Sequence, residues 1–157
     1  MTGKTHITAG IVTSLAIGAN APQIALIAFG SLLPDVDHAG STFGKAVKPI
    51  SKRLRHRGFT HSILFLIITT IISPYLGMGV LTHILLDLMN PKGVELLYPH
   101  KKNYKIPLIS RFAKTDSVFE HILFFFLVVA GVAILIFYED LWGFKNLFEY
   151  TSLWFNS

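Results

Sequence analysis

The chain alternates apolar runs with short polar breaks and two long basic stretches. The apolar runs cover roughly residues 7–19, 22–33, 62–73, 75–89 and 118–138. Gly18, Asn20 and Pro22 separate the first two runs, and Ser73 with Pro74 separates the next two, which is typical of short helix-to-helix connections. The pattern therefore predicts an all-α bundle of about five helices, arranged as two short hairpins and a longer C-terminal helix.

The lengths of these runs bear on how the chain meets a membrane. Only residues 122–138 approach the roughly 20 apolar residues that cross a bilayer. The other runs are shorter, so the hairpins dip into the bilayer, tilt, or span a locally thinned membrane. Hydrophobic residues make up 52% of the chain and charged residues 15%, with a mean hydropathy of +0.54, which is more apolar than an average soluble domain.

These features predict one membrane-embedded domain over residues 1–157, with a core at 4–121, a transmembrane helix at 122–138 and a tail at 139–157. Lys4 and the apolar run from Ile7 to Ala19 also resemble a signal peptide. A second apolar run follows almost at once, however, which favours a retained helical hairpin.

Cationic residues suggest an orientation for the bundle. Of the 14 lysines and arginines, six lie between His38 and Thr60 and six between Pro91 and Asp116. If each hairpin enters and returns, both stretches and Lys4 lie on one side, which the positive-inside rule makes cytoplasmic. Few aromatic residues interrupt the first basic stretch, so we expect anionic lipid headgroups as partners and no nucleic acid. The chain is predicted to be a multi-pass protein of the bacterial inner membrane.

Histidines and aspartates cluster at the predicted cytoplasmic ends of the helices. Cysteine is absent, so any metal would be held by nitrogen and oxygen. The candidate metal ligands are His6, Asp35, Asp37, His38, His56, His61, His83 and Asp87.

Each candidate also has a plainer interpretation. His83 and Asp87 are four residues apart and share one helix face, but such a pair is also a common hydrogen-bonded pair near a helix end. Their apolar neighbours favour a metal, since an unpartnered carboxylate there carries a large desolvation cost. Asp35 and Asp37 follow Pro34 in a loop and suit metal ligation or water activation, although a solvated acidic turn is the alternative.

Three more positions complete the candidate site. Arg57 is a possible clamp for a phosphate or carboxylate oxygen, or simply part of a basic loop facing lipid. His61 stands at a helix start, where Thr60 or Ser62 would fix its tautomer or cap the helix. Glu120 opens the fifth helix and is a candidate general base, further ligand or supporting partner; a satisfied polar residue at the bilayer boundary is the alternative.

Four motifs occur in an order that resembles a known family. They are His6, LPDVDH at 33–38, HRGFTHS at 56–62 and HILLDLMNPKGVELLYP at 83–99. The chain resembles, from about residue 4 to residue 121, the bacterial membrane-bound metal-dependent hydrolases labelled YdjM or YbcI. That resemblance implies a helical inner-membrane protein with metal-dependent hydrolase activity.

This family is in turn similar to the zinc-dependent phospholipase C and single-strand nuclease superfamily. The resemblance implies ligation by His6, Asp35 or Asp37, His61, His83 and Asp87, with Asp87 bridging two metals. The superfamily's N-terminal tryptophan ligand and a further His-x3-His or His-x3-Glu element are missing, so the resemblance implies one or two ions.

The hypothesis from these observations is a hydrolase that uses zinc, or alternatively manganese, on a phospholipid or lipid-linked phosphate. A metal-activated water would attack the phosphoester, Asp35 or Asp37 would orient or deprotonate it, and Arg57 would steady the phosphate. An amide- or ester-cleaving enzyme and a non-catalytic scaffold or stress-response protein with a structural metal remain alternatives. A transporter is disfavoured, because the polar residues lie at helix ends rather than at mid-bilayer.

Overall fold

The described part of the chain, in this computed structural model, comprises residues 1–38, 40–41 and 56–155, with side chains described as far as Phe137. The α-helices of this described part are α1 (Gly3–Ala16), α2 (Ala21–Gly30), α3 (Ile63–Ile72), α4 (Pro74–Leu88) and α5 (Val118–Phe155). Short 3-10 turns occur at Leu33–Asp37, Phe59–His61 and Ile109–Arg111. The predicted all-α class and helix order are confirmed, while the basic residues from Lys45 to Arg55 lie outside the described part.

Local sequence signals explain where these helices begin. Asn20 caps α2 in a reciprocal pair of hydrogen bonds with Gln23, and Ser62 caps α3 by accepting from the backbone N–H of Phe65. Pro74 stands in the first turn of α4, where its missing N–H is not needed. The C-terminal helix is longer than predicted, since the backbone of the predicted tail continues α5 to Phe155.

Helix α4 lies at the centre of the bundle. It packs against α1, α2 and α3, while α5 packs against α1. Gly30 of α2 and Gly79 of α4 face each other so closely that a Cβ on Gly79 would overlap the backbone of Ile27 and Ser31. Such close approach of backbones through small residues is typical of helices packed within membranes.

One helical segment in the described part of the chain can cross a membrane by length and composition. It comprises the 20 residues Val118–Phe137 of α5, few of which are buried against the rest of the protein. Helix α3 is also strongly apolar on its outer surface, where Ile71 and Ile72 are 80% and 70% exposed. At 10 and 15 residues, α3 and α4 rise roughly 15 and 22 Å, less than the roughly 30 Å hydrocarbon core.

Candidate metal centre

Polar side chains from three separate elements meet at one end of the bundle. His6 lies in the first turn of α1, His61 immediately before α3, and His83 with Asp87 in the last turns of α4. All four residues are at most 1% exposed. A cluster of imidazole and carboxylate groups this deeply buried requires hydrogen bonds, ion pairs or a bound cation to offset its desolvation.

Two hydrogen-bonding partners define the state of His83. Its Nδ1 lies 2.7 Å from the carbonyl oxygen of Ser31; because a carbonyl only accepts, this nitrogen carries the hydrogen. The Nε2 lone pair is therefore free to accept, and it faces His61 Nε2 at 3.1 Å. A backbone carbonyl that fixes the tautomer in this way is the usual support of a metal-binding histidine.

His61 is held between two carboxylates. Its Nδ1 lies 3.3 Å from Asp37 Oδ2 and its Nε2 lies 3.4 Å from Asp87 Oδ2, while Thr60 Oγ1 is 3.1 Å from Nδ1. Burial alone lowers the pKa of His61, but hydrogen bonds and charge from Asp37 and Asp87 outweigh it and raise the pKa to about 9. With this pKa, a metal-free His61 carries a hydrogen on both ring nitrogens at neutral pH, and its Nε2 hydrogen faces both His83 Nε2 and Asp87 Oδ2.

His6 is the least satisfied member of the cluster. Its ring stacks on that of His83, with centroids 3.7 Å apart and planes 12° from parallel. Its Nε2 lies 3.5 Å from Asp87 Oδ1, and neither ring nitrogen makes a hydrogen bond within the described part of the protein. A buried imidazole in this condition suits a position next to a cation, which would accept a nitrogen lone pair.

The carboxylate of Asp87 is surrounded by positive and polar groups. The Met1 amino group lies 2.8 Å from Oδ1, and Arg57 Nη2 lies 3.2 Å from Oδ2. His83 Nε2 is 3.9 Å away. The carboxylate is thus ion-paired and aimed into the cluster, where it can also ligate a metal.

Two overlapping sets of residues have ligand atoms close enough to share an ion. One set is His6, His83 and Asp87; the other is Asp35, His61 and His83, with all ligand atoms of a set within 4.8 Å of one another. Imidazole nitrogen and carboxylate oxygen are the donors that zinc accepts in sites without cysteine, and manganese also accepts them. The donor set, together with the His6 ring nitrogens that make no hydrogen bond within the described residues, therefore fits a divalent cation.

The two candidate carboxylates of the 3-10 turn Leu33–Asp37 differ in their surroundings. Asp37 accepts from Thr60 Oγ1 at 2.5 Å and from the backbone N–H of Arg57 at 2.9 Å, and its Oδ1 lies 2.8 Å from His56 Nδ1. Burial alone raises the pKa of Asp37, but hydrogen bonds from His56, His61 and Thr60 outweigh it and hold the pKa well below its usual value. Asp37 is therefore a buried anion that orients its neighbours.

Asp35, by contrast, faces an open cleft. Its side chain is 17% exposed, and its Oδ1 lies 3.9 Å from His83 Nε2. The cleft has a volume of about 450 Å³, and Asp35, Arg57, Asp87 and Lys92 are among the residues that line it. Asp35 thus offers a carboxylate that touches both the cluster and the solvent-accessible space beside it.

Arg57 connects the cluster to the cleft wall. Its backbone φ of +66° lies in the left-handed region that costs a non-glycine residue energy. Hydrogen bonds to the backbone from both sides stabilise this conformation, through Asp37 and Glu95. The guanidinium donates to Asn90 Oδ1 at 3.1 Å and to the carbonyl of Gly93 at 3.3 Å.

Three predicted site residues occupy less central positions. His38 and His56 are exposed at the mouth of the cleft, with rings 4.6 Å apart, and neither belongs to the two ligand sets. Glu120 Oε1 accepts from the backbone N–H of Thr2 and from the hydroxyls of Thr2 and Thr5. Oε2 accepts from the backbone N–H of Asp116, so the Glu120 carboxylate fastens the start of α1 to the start of α5.

Sequence reasoning missed several participants. They are the carbonyl of Ser31, the amide of Asn90, the amino group of Met1 and, within the cleft, the side chain of Lys92. Asn90 carried a usable signal, because it follows Asp87 by three residues at the end of α4, where a polar side chain reaches the same side of the helix. The carbonyl of Ser31 carried none, since its role depends on α2 packing against α4.

Comparison with known proteins identifies a family and several relatives of this chain. A family profile described as YdjM inner membrane protein matches residues 1–143. The Bacillus subtilis (strain 168) protein described as uncharacterized protein YvsG is 34% identical over 153 residues, covering 85% of this chain and 91% of its own. Inner membrane protein YdjM of Escherichia coli (strain K12) and that of Shigella flexneri are each 35% identical over 97 residues, 50% of either chain. No solved structure matches the chain.

Proposed function

We propose that this chain, which belongs to the YdjM inner membrane protein family, is a metal-dependent hydrolase of phosphoester bonds in a lipid or lipid-linked substrate. The main support for metal binding is His6, because its imidazole is 1% exposed and neither ring nitrogen has a hydrogen bond within the described residues. An unsatisfied buried polar group costs about 1–3 kcal/mol. A divalent ion, zinc in the first instance or manganese, would remove that cost.

The proposed ligands are His6, His61, His83 and Asp87, with Asp35 beside them as a free carboxylate. His83 belongs to both sets of closely spaced ligand atoms, so the residues would hold one ion or a pair. The Ser31 carbonyl and the Asp37 carboxylate support the ligands by holding the Nδ1 hydrogens of His83 and His61. This leaves the Nε2 atoms of both rings directed into the cluster.

A bound divalent ion would supply Lewis-acid activation of water at neutral pH. Asp35 is the proposed general base, because it is the carboxylate that reaches both the cluster and the open cleft. Asp37 takes the orienting role, since its oxygens are occupied by His56, Thr60 and the backbone of Arg57. Glu120 is better suited to positioning the N-terminal segment than to proton transfer, since it accepts three hydrogen bonds from Thr2 and Thr5 and a fourth from Asp116.

The substrate class follows from the cations beside the cluster. Arg57 and Lys92 both line the cleft, and Arg57 Nε has no hydrogen-bond partner within the described residues. A guanidinium and an ammonium at the mouth of a metal site favour binding of phosphate oxygens. Carboxylate oxygens would bind the same cations, so amide and carboxylic-ester substrates are the comparison arm of the test.

The position of the cluster supports action at a membrane surface. The start of α1, the ends of α2 and α4, and the starts of α3 and α5 meet at one end of the bundle, as the contacts of Asp87 and Glu120 illustrate. That end is where the apolar span Val118–Phe137 begins. We propose a multi-pass arrangement in which this end faces the cytoplasm, because the basic residues between Pro91 and Asp116 join it.

A structural metal site in a non-catalytic scaffold is the second candidate. The near-complete burial of His6, His61, His83 and Asp87 favours it, because structural zinc sites are closed by four protein ligands, whereas catalytic ones keep a position for water. Spectroscopy of the cobalt-substituted protein distinguishes them. A four-ligand protein shell supports the scaffold, and a coordinated exchangeable water supports the hydrolase.

The deciding experiment uses the full-length chain purified in detergent and loaded with zinc or manganese. Phospholipids and lipid-linked phosphates form the main panel, and carboxylic esters and amides form the second, each with a chelator control. Asp35→Asn is expected to retain the metal and lose turnover, while His121→Leu, a change at an exposed side chain, leaves both unchanged. Absence of bound metal in the unaltered protein, or of chelator-sensitive hydrolysis across both panels, contradicts the proposal.

A further inference from the structure

A short segment before α5 presents opposite faces to the protein and to solvent. The segment comprises residues 106–112 and includes the 3-10 turn Ile109–Arg111. Ile109 packs against the core cluster that contains the fully buried Ala113, whereas Leu108 and Phe112 are 73% and 64% exposed. Ile109 and Ala113, which face inward, are four residues apart, and so are Leu108 and Phe112, which face outward. One helical turn therefore suffices to separate the two faces.

The segment is held firmly in this arrangement. The backbone N–H of Ile106 donates to the carbonyl of Leu88 at the end of α4 (2.8 Å), and the backbone N–H of Ser110 donates to the carbonyl of Ile106 (3.0 Å). The exposed side chains are therefore displayed on a fixed support. Exposing a leucine and a phenylalanine in water forgoes about 1.5–3 kcal/mol for each side chain, so a neighbouring apolar phase would stabilise this conformation.

The membrane-spanning part of α5 identifies that phase. Val118, 76% exposed, begins the apolar span, and only five residues separate it from Phe112. Residues 114–117 are all polar, which marks this level as the boundary between headgroups and hydrocarbon. The cations Lys105, Arg111 and Lys114 surround the segment and are all exposed, as expected for contact with anionic headgroups.

The same segment adjoins the rim of the cleft. Thr115 lines the cleft, and its hydroxyl accepts a hydrogen bond of 3.1 Å from the Asn90 side chain. Asn90 in turn accepts from Arg57 at 3.1 Å. A chain of contacts therefore runs from Thr115, three residues beyond the segment, to the guanidinium in the cleft, which sets the cleft mouth at the level of the headgroups.

We propose that residues 106–112 form an interfacial anchor that inserts Leu108 and Phe112 into an anionic leaflet and sets the cleft opening at headgroup level. A lipid headgroup then reaches the cleft without its acyl chains leaving the bilayer. The insertion stands on the geometry of the segment alone, while the lateral entry of substrate rests on the proposed function.

Insertion is measured on the full-length protein reconstituted in vesicles. A single cysteine at Leu108→Cys or Phe112→Cys carries an environment-sensitive fluorophore, and Asn103→Cys, on the exposed polar wall of the neighbouring pocket, is the matched control. We expect blue-shifted emission at positions 108 and 112 and quenching by lipids with a spin label roughly 5–10 Å below the headgroups, with neither effect at 103. The shift should be larger in vesicles containing phosphatidylglycerol than in phosphatidylcholine alone.

Emission at 108 and 112 equal to that at 103 overturns the anchor, and equal signals in the two vesicle types overturn its preference for anionic lipid. Both readouts are independent of metal and hydrolysis, so they stand if the proposed function fails. For lateral entry, the double variant Leu108→Asp, Phe112→Asp should raise KM for a vesicle-borne phosphoester about tenfold or more. Turnover of a water-soluble phosphoester should stay unchanged; an unchanged KM for the vesicle substrate overturns lateral entry.

Discussion

Replacing His6 by leucine should have opposite effects on the metal-free and the metal-loaded protein. In the metal-free protein, the change removes two buried ring nitrogens that have no hydrogen bonds among the described residues and substitutes an apolar side chain of similar size. Asp87 keeps its ion pair with Arg57, so no carboxylate is stranded. The stability of the metal-free variant should therefore lie within about 1 kcal/mol of the wild type or above it.

In the metal-loaded protein, the same change removes a proposed ligand. An ion present at a hundredfold excess over its Kd stabilises the native state by about 2.7 kcal/mol. For a chain of this size that corresponds to a rise in Tm of roughly 5–11 °C. The variant should lose most of this rise, because its cluster retains fewer nitrogen donors.

The assay is thermal unfolding in detergent, with and without zinc, followed by circular dichroism. His121→Leu is the control, since the His121 side chain is 55% exposed and its ring nitrogens lie next to Asp116 and the Ser117 carbonyl, and it should preserve the full zinc-dependent rise. A His6→Leu protein that loses several kcal/mol without metal, yet keeps the rise with metal, would show that His6 is a structural core residue and refute the reasoning.

Three further outcomes are expected. Gly79→Ala should destabilise the bundle by about 1–3 kcal/mol, because its Cβ would overlap the backbone of Ile27. Gly131→Ala is the control, since its Cβ would meet a side chain at 3.2 Å. Equal unfolding midpoints for the two variants would contradict close packing of α2 on α4. His61, with its pKa raised to about 9, carries a proton at pH 7 that zinc would have to displace on binding. Zinc affinity should therefore rise about tenfold per pH unit up to that pKa and level off above it. Calorimetry in buffers of different ionisation enthalpy measures the released proton, and an affinity that does not change with pH contradicts the prediction. Asp35→Asn should lower kcat, while the metal content and the binding of substrate stay unchanged. A change in KM alone would assign Asp35 to substrate binding rather than to proton transfer.

Much of the fold follows from short stretches of sequence. The apolar runs predict the five helices found among the described residues, and the caps at Asn20 and Ser62 and the proline at 74 mark helix starts within a few residues of those observed. These signals are local, since helix periodicity and capping join residues at most four positions apart. The end of α5 was missed, because the polar residues after Tyr138 suggested a tail while the backbone continues as helix to Phe155.

For the candidate site, too, local sequence signals predicted some features and missed those that depend on packing. Residue types and their positions at helix ends nominated the histidines and aspartates from sequence alone. Only the tertiary structure separated Asp35, which faces the cleft, from Asp37, whose oxygens are taken by His56, Thr60 and Arg57. It also turned Glu120 from a candidate base into the group that fastens the N-terminus.

Sequence by itself thus determined the class of fold, the association with a membrane and the chemical nature of the candidate ligands, because these depend on composition, periodicity and neighbouring residues. Tertiary structure alone decided which lone pairs are free, since the partners of His83 and Asp87 come from residues 52 and 86 positions away. Whether a buried carboxylate acts as base, ligand or support depends on which donors reach its two oxygens. That is settled by how the helices pack, not by the residues beside it in the chain.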